Sequence, residues 1–475
     1  MPANDSPAVI VARFLKANHY TETLAAFLEE AGLPEDAADT KPGDWTIEQV
    51  LEEKKQYDSS LSFEKKGDGQ LTGWTQPAPS KPVEPEARVS SNVLCVSGAG
   101  DDNDAHKTIF ITTADKSWSQ LSTTGPFRLT QSISNAHASP VLSISSLPGP
   151  YIFSTSMSGQ LMLHDGRGRL LDKCRDHLKY AVQVVSTVTR NGNWIVATAG
   201  WDQKVHLYTP EHELAERFEP ANSSDVGDES HIDGLLGDPV HTIALPTNPE
   251  SMVFVQHPDT LEPYLVLSRR DSTFLYYYSI TSTSPESSSS RNSEAAYSVR
   301  ETGKQNLAPH SNAWIGFTPS CLALSPADPS LLAVATSHLP HMKLIIVRLL
   351  FPSSSNVPDT EPQTQASQAR AALAVQDREE HAIKLHVSTM SPQTPYSTPQ
   401  VVWRPSGSGV FVNADDGVVR GLDTDNGKVV SLLQAHEVGS KVRTLYAGFE
   451  NGPDGKKEIL ISGGFDKKVF IWRIA

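Results

Sequence analysis

The sequence predicts a mainly β protein, with a closed ring of seven four-stranded sheets that follows a small N-terminal α-helical module. Apolar residues recur at helical spacing mainly within the first sixty residues. From about residue 90 onward, short apolar runs are separated by Gly, Asp, Asn, Pro and Ser, a pattern typical of all-β domains. In that part a polar turn residue, followed six positions later by an aromatic or aliphatic residue, recurs seven times.

Residues 7–33 have the pattern of two amphipathic helices. Ser6 can cap the first helix, with Pro7 in the first turn, where proline is tolerated. The second helix ends near Gly32, and its apolar residues follow helical spacing: Leu24, Phe27, Leu28 and Ala31. Two helices this short are marginal in water, so their apolar stripes require further packing partners.

The segment VIVARFLKANHYTETLAAFLEEAGL resembles the LisH (lissencephaly-homology) motif. That resemblance implies that residues 1–60 form a dimerisation module in which two chains pair through a four-helix bundle. The residues expected to contact the second copy are Phe14, Leu15, Tyr20, Leu24 and Phe27. The alternative is that the two helices pack on a third helix of the same chain.

A third helix is predicted from a capping box formed by Thr46 and Gln49, and it is expected to run to about Tyr57. Residues 61–90 are rich in Pro, Gly and charged residues, which predicts a linker and a domain boundary.

The last repeat unit is the clearest: His436 is followed by KVRTLYAGF and EILISGGFDKKVFIWRIA, with Asp466 six residues before Trp472. This order resembles the WD repeat. The resemblance implies a seven-bladed WD-repeat β-propeller over residues 91–475, each blade being a four-stranded antiparallel sheet. The seven turn positions are Asp115, Ser158, Asp202, Asp271, His341, Asp416 and Asp466.

Some of these units are longer than the usual 40 to 45 residues. The surplus predicts polar insertions near 219–239, 281–312 and 352–384 that stay outside the core.

Ring closure requires a strand from elsewhere, because the last blade has only three strands of its own and its outer edge would be unpaired. The expected source is an N-terminal segment. Gln70–Trp74 is the first candidate and Pro85–Val89 the second.

The turn aspartates invite an acid–base interpretation, yet each occupies the same place in its unit. The WD resemblance implies that a carboxylate there bonds backbone N–H groups, a structural His and a strand hydroxyl. We therefore predict structural roles for Asp115, Asp202, Asp271, Asp416 and Asp466, with His137, His177 and His436 as structural histidines. Because the sequence shows no nucleophile elbow, zinc-protease motif or phosphate loop, we expect no catalytic residues, no metal and no cofactor.

The residue before each turn carboxylate is expected at the mouth of the central channel. Four of those positions hold Trp201, Arg270, Asp415 and Phe465, and large aromatics and Arg are frequent at interfaces. We predict that they bind a partner protein, the alternative being that Trp201 and Phe465 pack on neighbouring loops.

Charge and cysteine content restrict the remaining functions. Forty Lys and Arg against 55 Asp and Glu give a net charge of −15, which opposes direct nucleic-acid binding. The three cysteines are far apart in sequence and predict no disulfides, which favours a reducing compartment. No apolar run is long enough for a membrane span, so we expect a cytoplasmic or nuclear protein without a membrane partner.

Together these patterns predict a non-enzymatic scaffold that dimerises through LisH and presents a propeller face to partner proteins. The alternative is a reader of a modified peptide, such as a histone tail or phosphodegron, within a ubiquitin-ligase or chromatin complex. Proteins of similar LisH plus WD-repeat layout serve in ligase, corepressor and microtubule-motor assemblies, and the resemblance does not choose among them.

Overall fold

The computed structural model describes most of the chain in two compact units. The first comprises Met1–Phe63 with His310–Ile315, and the second comprises Glu64–Pro309 with Gly316–Ala475. The described residues are 6–41, 44–51, 65, 71–86, 89–99, 108–122, 129–133, 137–147, 151–166, 168–210, 234–282, 297–309, 317–352, 365–452 and 455–475.

The first unit is helical, with α1 (Pro7–Ala17), α2 (Thr21–Glu30), a 3₁₀ turn (Glu35–Ala38) and α3, which is helical over residues 47–51. As predicted, the Ser6 hydroxyl accepts a bond from Val9 N–H at the start of α1. Thr46 and Gln49 form the expected capping box, each side chain accepting from the other's backbone N–H at 3.1 and 3.3 Å. The expected extension of α3 beyond residue 51 lies outside the described residues.

The core of this unit is small and consists of Ala12, Leu28 and Ala38, with Leu24, Phe27 and Leu33 packed around it. Arg13 is 4% exposed and forms an ion pair with Asp44 at 2.9 Å. The same guanidinium donates to the carbonyl of Trp45. Polar contacts of one buried arginine therefore join α1 to the segment before α3.

In the second unit, the described residues form 28 strands arranged in seven four-stranded antiparallel sheets, or blades. Blades 1 to 4 comprise β2 (Val93–Ala99), β3 (Thr108–Thr113), β4 (Trp118–Ser122), β5 (Leu129–Ile133); β6 (Val141–Ser146), β7 (Ile152–Ser156), β8 (Leu161–His164), β9 (Leu170–Cys174); β10 (Ala181–Val188), β11 (Trp194–Gly200), β12 (Lys204–Tyr208), β13 (His241–Ala244); and β14 (Pro249–Gln256), β15 (Pro263–Arg269), β16 (Phe274–Ser282), β17 (Tyr297–Asn306).

The remaining three blades complete the ring. They comprise β18 (Pro319–Leu324), β19 (Leu331–Thr336), β20 (His341–Arg348), β21 (Ile383–Pro392); β22 (Val401–Trp403), β23 (Val410–Val412), β24 (Val418–Leu422), β25 (Val429–Gln434); and β26 (Val442–Gly452), β27 (Gly455–Gly464), β28 (Val469–Ile474) with β1 (Pro79–Val83). The first strand of each blade contacts the first strand of the next, and β26 contacts β2. The predicted seven-bladed β-propeller is thus confirmed.

Strand β1 closes the ring, because it pairs antiparallel with β28 at the outer edge of blade 7. An N-terminal closing strand was expected, but both candidate segments, Gln70–Trp74 and Pro85–Val89, are wrong. The closing strand contains Pro79 and Pro82, which the sequence pattern disfavours in a strand. Proline is tolerated here because β1 is an edge strand, so one side of it requires no hydrogen bonds.

The described residues that precede β1 within the second unit, Lys65 and 71–78, lie on the propeller. Lys65 forms a two-way backbone bridge with His386 on the outer strand of blade 5. Leu71 packs on the core between blades 5 and 6, and Thr424 of blade 6 donates to the carbonyl of Thr72. We call residues 71–83 the N-terminal strap.

Trp74 is the main apolar contact of the strap. Its ring meets Phe411 edge-on at 5.4 Å between centroids. A Cβ atom at Gly409 would lie 2.5 Å from the Trp74 ring, and one at Gly421 would lie 2.6 Å from it. The indole therefore occupies a slot that exists because blade 6 has glycine at both positions.

Arg404 connects the strap to blades 6 and 7 in a buried polar cluster. Its side chain is 1% exposed and binds both carboxylate oxygens of Glu458, at 2.8 and 2.9 Å. The same guanidinium donates to the carbonyls of Thr75 and Pro77 and lies 4.5 Å from the centre of the Trp74 ring. One side chain of blade 6 thus satisfies acceptors from two other parts of the chain, the strap and blade 7.

A second set of contacts links neighbouring blades around the channel. The inner strands of six blades contain a register shift. The residue directly after that shift forms a hydrogen bond with the backbone of the inner strand of the next blade, so six of the seven junctions between blades have such a bond. These residues are Cys95, Ser143, Gln183, Ser251, Cys321 and Thr444. Two of the three cysteines therefore have structural positions in the ring.

The predicted polar insertions are only partly insertions. Leu235 and Leu236 within 219–239 are buried in the core between blades 2 and 3. β17 falls within 281–312, and its polar composition reflects its place as an outer edge strand. The third segment, 352–384, contains α4 (Gln365–Ala382), whose Glu379 accepts from Asn306 N–H at 2.7 Å.

Among the described residues, no helix combines the length and the hydropathy that a membrane crossing requires.

Candidate protein-binding face

The predicted channel-mouth residues occupy equivalent places in their blades. In six blades the residue at this position donates its N–H to the carbonyl just before the inner strand, at 2.8 to 3.0 Å. The six donors are Ala114, Met157, Trp201, Arg270, Ser337 and Phe465. In blade 6, Asp415 donates instead to Pro392 at the end of blade 5. These turns, together with the loops entering each inner strand, form one end of the propeller, which we call the upper face.

Five turns are centred on the residues that the sequence pattern selected. The second and third strands of these blades pair symmetrically about Asp115, Ser158, Asp202, Asp416 and Asp466. The pairing in blades 4 and 5 has its centre between two residues, so these hairpins contain one residue more or fewer. In these two blades the six-residue spacing therefore selects Asp271 and His341, which are not the centres of their turns.

Blade 7 contains the complete hydrogen-bond network that the WD resemblance implies. His436 Nδ1 lies 2.9 Å from Asp466 Oδ2, and its Nε2 lies 2.9 Å from Ser462 Oγ. The Trp472 indole N–H donates to that same hydroxyl. Burial raises the pKa of Asp466, yet His436 and the backbone N–H of Glu437 bring it below its ordinary value.

Blade 3 repeats the network with one substitution. His177 bonds Asp202 and Thr198, both at 2.9 Å, and Leu178 N–H donates to the Asp202 carboxylate. Tyr208 occupies the Trp position, and its hydroxyl donates to Asp176. These contacts give Asp202 a complete structural role.

The other turn aspartates have different partners. Asp115 accepts from Ser90 and Thr113, and Asp416 forms a salt bridge with Arg420 at 2.6 Å. Asp271 does not share the predicted role, because its side chain is exposed and has no hydrogen bond within the described part of the chain. Its φ of 59° places it at the left-handed position that Gln203 and Lys467 occupy in other blades.

In blade 5 the residue selected from the sequence, His341, lies outside the turn. His341 already belongs to β20, so the turn precedes it and comprises residues 337–340.

Blade 2 lacks the carboxylate, since Ser158 occupies its place. His137 Nε2 still contacts Ser154 at 2.8 Å, but its Nδ1 is buried without a partner among the described residues. His164 and Trp118 add two more such nitrogens beside it, with ring centroids 4.7 Å apart. Burial lowers the pKa of His137 to about 4. Burial, together with the charge of the nearby His137, lowers the pKa of His164 to about 3.

One group of side chains has donors at metal-like spacing. The ligand atoms of His177, Asp202 and His206 lie within 4.8 Å of one another. Both ring nitrogens of His177 are already hydrogen-bonded, and blade 7 repeats the arrangement with Phe470 in place of His206, 4.8 Å from His436. The repeat therefore explains this group without a metal ion.

Trp201 is part of a small cluster on the upper face. Its ring packs against Tyr180 at 5.4 Å, and the guanidinium of Arg270 lies 5.8 Å from the ring centre. Glu250 fixes that guanidinium through a 2.7 Å ion pair. Trp201 remains 37% exposed, so it packs on neighbouring loops and still presents a surface.

Phe465 and Asp415 are further round the same face. Phe465 is 38% exposed, whereas Asp415 is engaged by Lys441 at 2.9 Å and by Ser397. The sequence also makes Trp314 and Phe317 candidates for partner contact, but Phe317 is buried in the core and Trp314 lies outside the described residues.

Within the described part of the chain, exposed apolar side chains are concentrated at this end of the propeller. Among the described residues, seven large ones lie on upper loops: Leu178, Tyr180, Trp201, Leu339, Tyr396, Val438 and Phe465. The described residues of the loops at the opposite end include two, Val240 and Leu261. Clustered exposed apolar groups of this kind are typical of protein interaction sites.

The predicted dimerisation residues remain partly accessible within the helical unit. Tyr20 is 53% exposed and packs against Phe14, with ring centroids 6.5 Å apart. Phe14, Leu15, Leu24 and Phe27 are half-buried, and the last two contribute to the small core.

Comparison with protein families gives two matches. The beta-propeller domain of UCP007778 matches residues 72–473, and the LisH domain of UCP007778 matches residues 8–34. The chain belongs to the UCP007778 family. The propeller match begins at residue 72, within the N-terminal strap and two residues before Trp74. Together, the two matches show both predicted modules, the LisH domain and the propeller. No curated protein sequence matches the chain.

The incomplete network in blade 2 predicts a pH-dependent stability. His137 and His164 have folded pKa values below the ordinary 6.5, so the unfolded chain binds more protons below that pH. Stability should be constant above about pH 6.5 and fall by about 1.4 kcal/mol per pH unit for each histidine toward pH 4. Urea unfolding between pH 4.5 and 8 measures this slope.

Ser158→Asp should supply the missing acceptor for His137, raise its pKa and add about 1 kcal/mol of stability at pH 7. The slope below pH 6.5 should decrease by the contribution of one histidine. Ser158→Asn is the matched control, because it offers an acceptor without charge. An unchanged slope in Ser158→Asp would contradict this account of blade 2.

Proposed function

We propose that the chain is a non-enzymatic scaffold that pairs two copies through its LisH module and binds partner proteins with the upper face of its propeller. The observation that carries the proposal is the concentration of exposed apolar side chains on the upper loops. Trp201 is the best candidate for the centre of a contact, because Tyr180, Arg270 and Glu250 hold it in position while part of the ring stays accessible. A preorganised aromatic of this kind loses little entropy on binding.

The side chains that engage the turn carboxylates support a role without catalysis. Asp202, Asp466 and Asp416 are engaged by His177, His436 and Arg420, which leaves them poorly suited to proton transfer. The proposed partners are proteins and a second copy of this chain, with no direct contact to nucleic acid or membrane.

A reducing compartment, cytoplasmic or nuclear, fits the thiols. Cys321 donates to the carbonyl of Val401, and Cys95 bonds the backbone of Ile144, so both act in reduced form at blade junctions.

Dimerisation would give the scaffold two identical faces. Two linked sites increase apparent affinity roughly 10² to 10⁴-fold where the partner presents two epitopes. Reading of a methylated histone tail is less well supported, since the Arg270 guanidinium at Trp201 would repel a second cation.

The upper face is tested by quantitative affinity purification with the full chain. Trp201→Ala combined with Phe465→Ala should reduce recovery of the main bound proteins at least about tenfold, as expected for loss of central aromatic contacts. Val240→Ala combined with Leu261→Ala, at the opposite end, is the matched control and should retain them. Equal recovery with both double variants would refute the assignment of the upper face.

Self-association is tested by sedimentation equilibrium. The full chain should sediment as a dimer, and Leu15→Glu combined with Tyr20→Glu should increase its dissociation constant at least about 100-fold, because both side chains are apolar and outside the buried Ala12–Leu28 core. Glu29→Gln, an exposed change on α2, is the control. A monomeric wild-type chain would refute the proposed role of the LisH module.

A further inference from the structure

Arg443 is a cation on the inner strand of blade 7, which borders the central channel. It lies at the register shift that opens the inner strand β26, two residues after Lys441, whose carbonyl accepts from Phe465 N–H on the upper face. Its charge acts on both Cys95 in blade 1 and Cys321 in blade 5. Both thiols are on inner strands, which surround the channel, so this electrostatic influence on blades 1 and 5 agrees with a position of Arg443 at the channel.

The guanidinium of Arg443 has no acceptor among the residues that the structure describes. The side chain is half-buried, and burial lowers its pKa. Burial also raises the pKa of both nearby thiols, to about 11 for Cys95, so neither supplies a compensating negative charge near neutral pH. An unpaired charge in such a place is unfavourable for the free protein.

The equivalent positions in other blades show that nothing in the repeat requires arginine there. They hold Leu94, Leu142, Val182, Glu250 and Ser320. Of these only Glu250 is charged, and it is paired with Arg270. Arg443 is therefore neither a repeat feature nor half of an ion pair within the described chain.

We propose that the upper part of the channel binds an oxyanion, a carboxylate or a phosphate group, on the guanidinium of Arg443. Guanidinium binds both groups through two parallel N–H donors. Because Arg443 lies just inside the rim carrying Phe465, an acidic or phosphorylated side chain of a protein docked on the upper face is one source. A free anion is the other. Only the first source depends on the proposed scaffold function.

The test for the anion uses inorganic phosphate with the full chain, by calorimetry and thermal unfolding at fixed ionic strength. Wild type should bind phosphate saturably and gain about 2 °C in melting midpoint over chloride. Arg443→Met should lose at least about tenfold in affinity, and its own midpoint without phosphate should be equal or higher, since a half-buried unpaired charge is removed. A structural arginine would instead lower that midpoint.

Two further variants make the result specific. Arg443→Lys keeps the charge but loses the two-donor geometry, so it should bind phosphate more weakly than wild type and more tightly than Arg443→Met. Lys467→Gln removes an exposed cation from the neighbouring turn and should behave as wild type.

The source of the anion is tested with three Gly-Ser-flanked peptides that carry Glu, phosphoserine or Gln between two leucines. Tighter binding of an acidic peptide than of phosphate, lost in Arg443→Met and in the Gln peptide, assigns the site to a partner side chain. If phosphate binds and neither acidic peptide binds more tightly than phosphate, the site is assigned to a free anion. The upper face is then tested separately by the Trp201 and Phe465 variants. Arg443-independent binding, or no binding in either arm, would overturn the proposal.

Discussion

The buried contact of Arg404 with Glu458, Thr75, Pro77 and Trp74 is the interaction on which the propeller depends. A ring of sheets is stable only when its last blade is completed, because an open blade leaves an unpaired edge. Here the completing strand β1 comes from the N-terminal side, and the strap that delivers it is fixed to blades 6 and 7 by one guanidinium. Removing one partner from a buried ion pair of this kind costs about 3–5 kcal/mol.

Closure has consequences for the upper face. The turn N–H groups bond to the carbonyls that precede the inner strands, so the position of each upper loop follows from the position of its blade. Complete His–Asp networks reinforce two blades, while Ser90 and Arg420 serve as alternative partners in two others. The ring therefore tolerates divergence of single repeats, because other side chains replace the His–Asp pair.

Sequence patterns predicted the repeat well wherever its hairpin has the standard length. Asp115, Asp202, Asp416 and Asp466 are centres of their turns, and the Thr46–Gln49 capping box is present. Asp271 was misplaced because the blade 4 hairpin differs in length, which a fixed spacing does not detect. β17 resembled an insertion because an outer strand faces solvent and is polar.

The contacts that close the ring could not be predicted in the same way. Prolines in β1 argue against a strand unless its edge position is known. Arg404 and Trp74 are more than 300 residues apart in sequence, and neither carries a local signal of the slot between Gly409 and Gly421. Arg443 was missed for a related reason, since the channel is formed by seven distant strands.

Ring closure by β1 is tested most directly by a disulfide across the register pair Lys81 and Arg473. Directly opposite residues in an antiparallel pair have Cα atoms about 4.5–5.5 Å apart, which suits a disulfide. Lys81→Cys combined with Arg473→Cys should oxidise to one intrachain bond and increase the melting midpoint. Glu84→Cys combined with Arg473→Cys, three residues out of register, should remain reduced. Free thiols in the first pair, or crosslinks only between chains, would contradict the account.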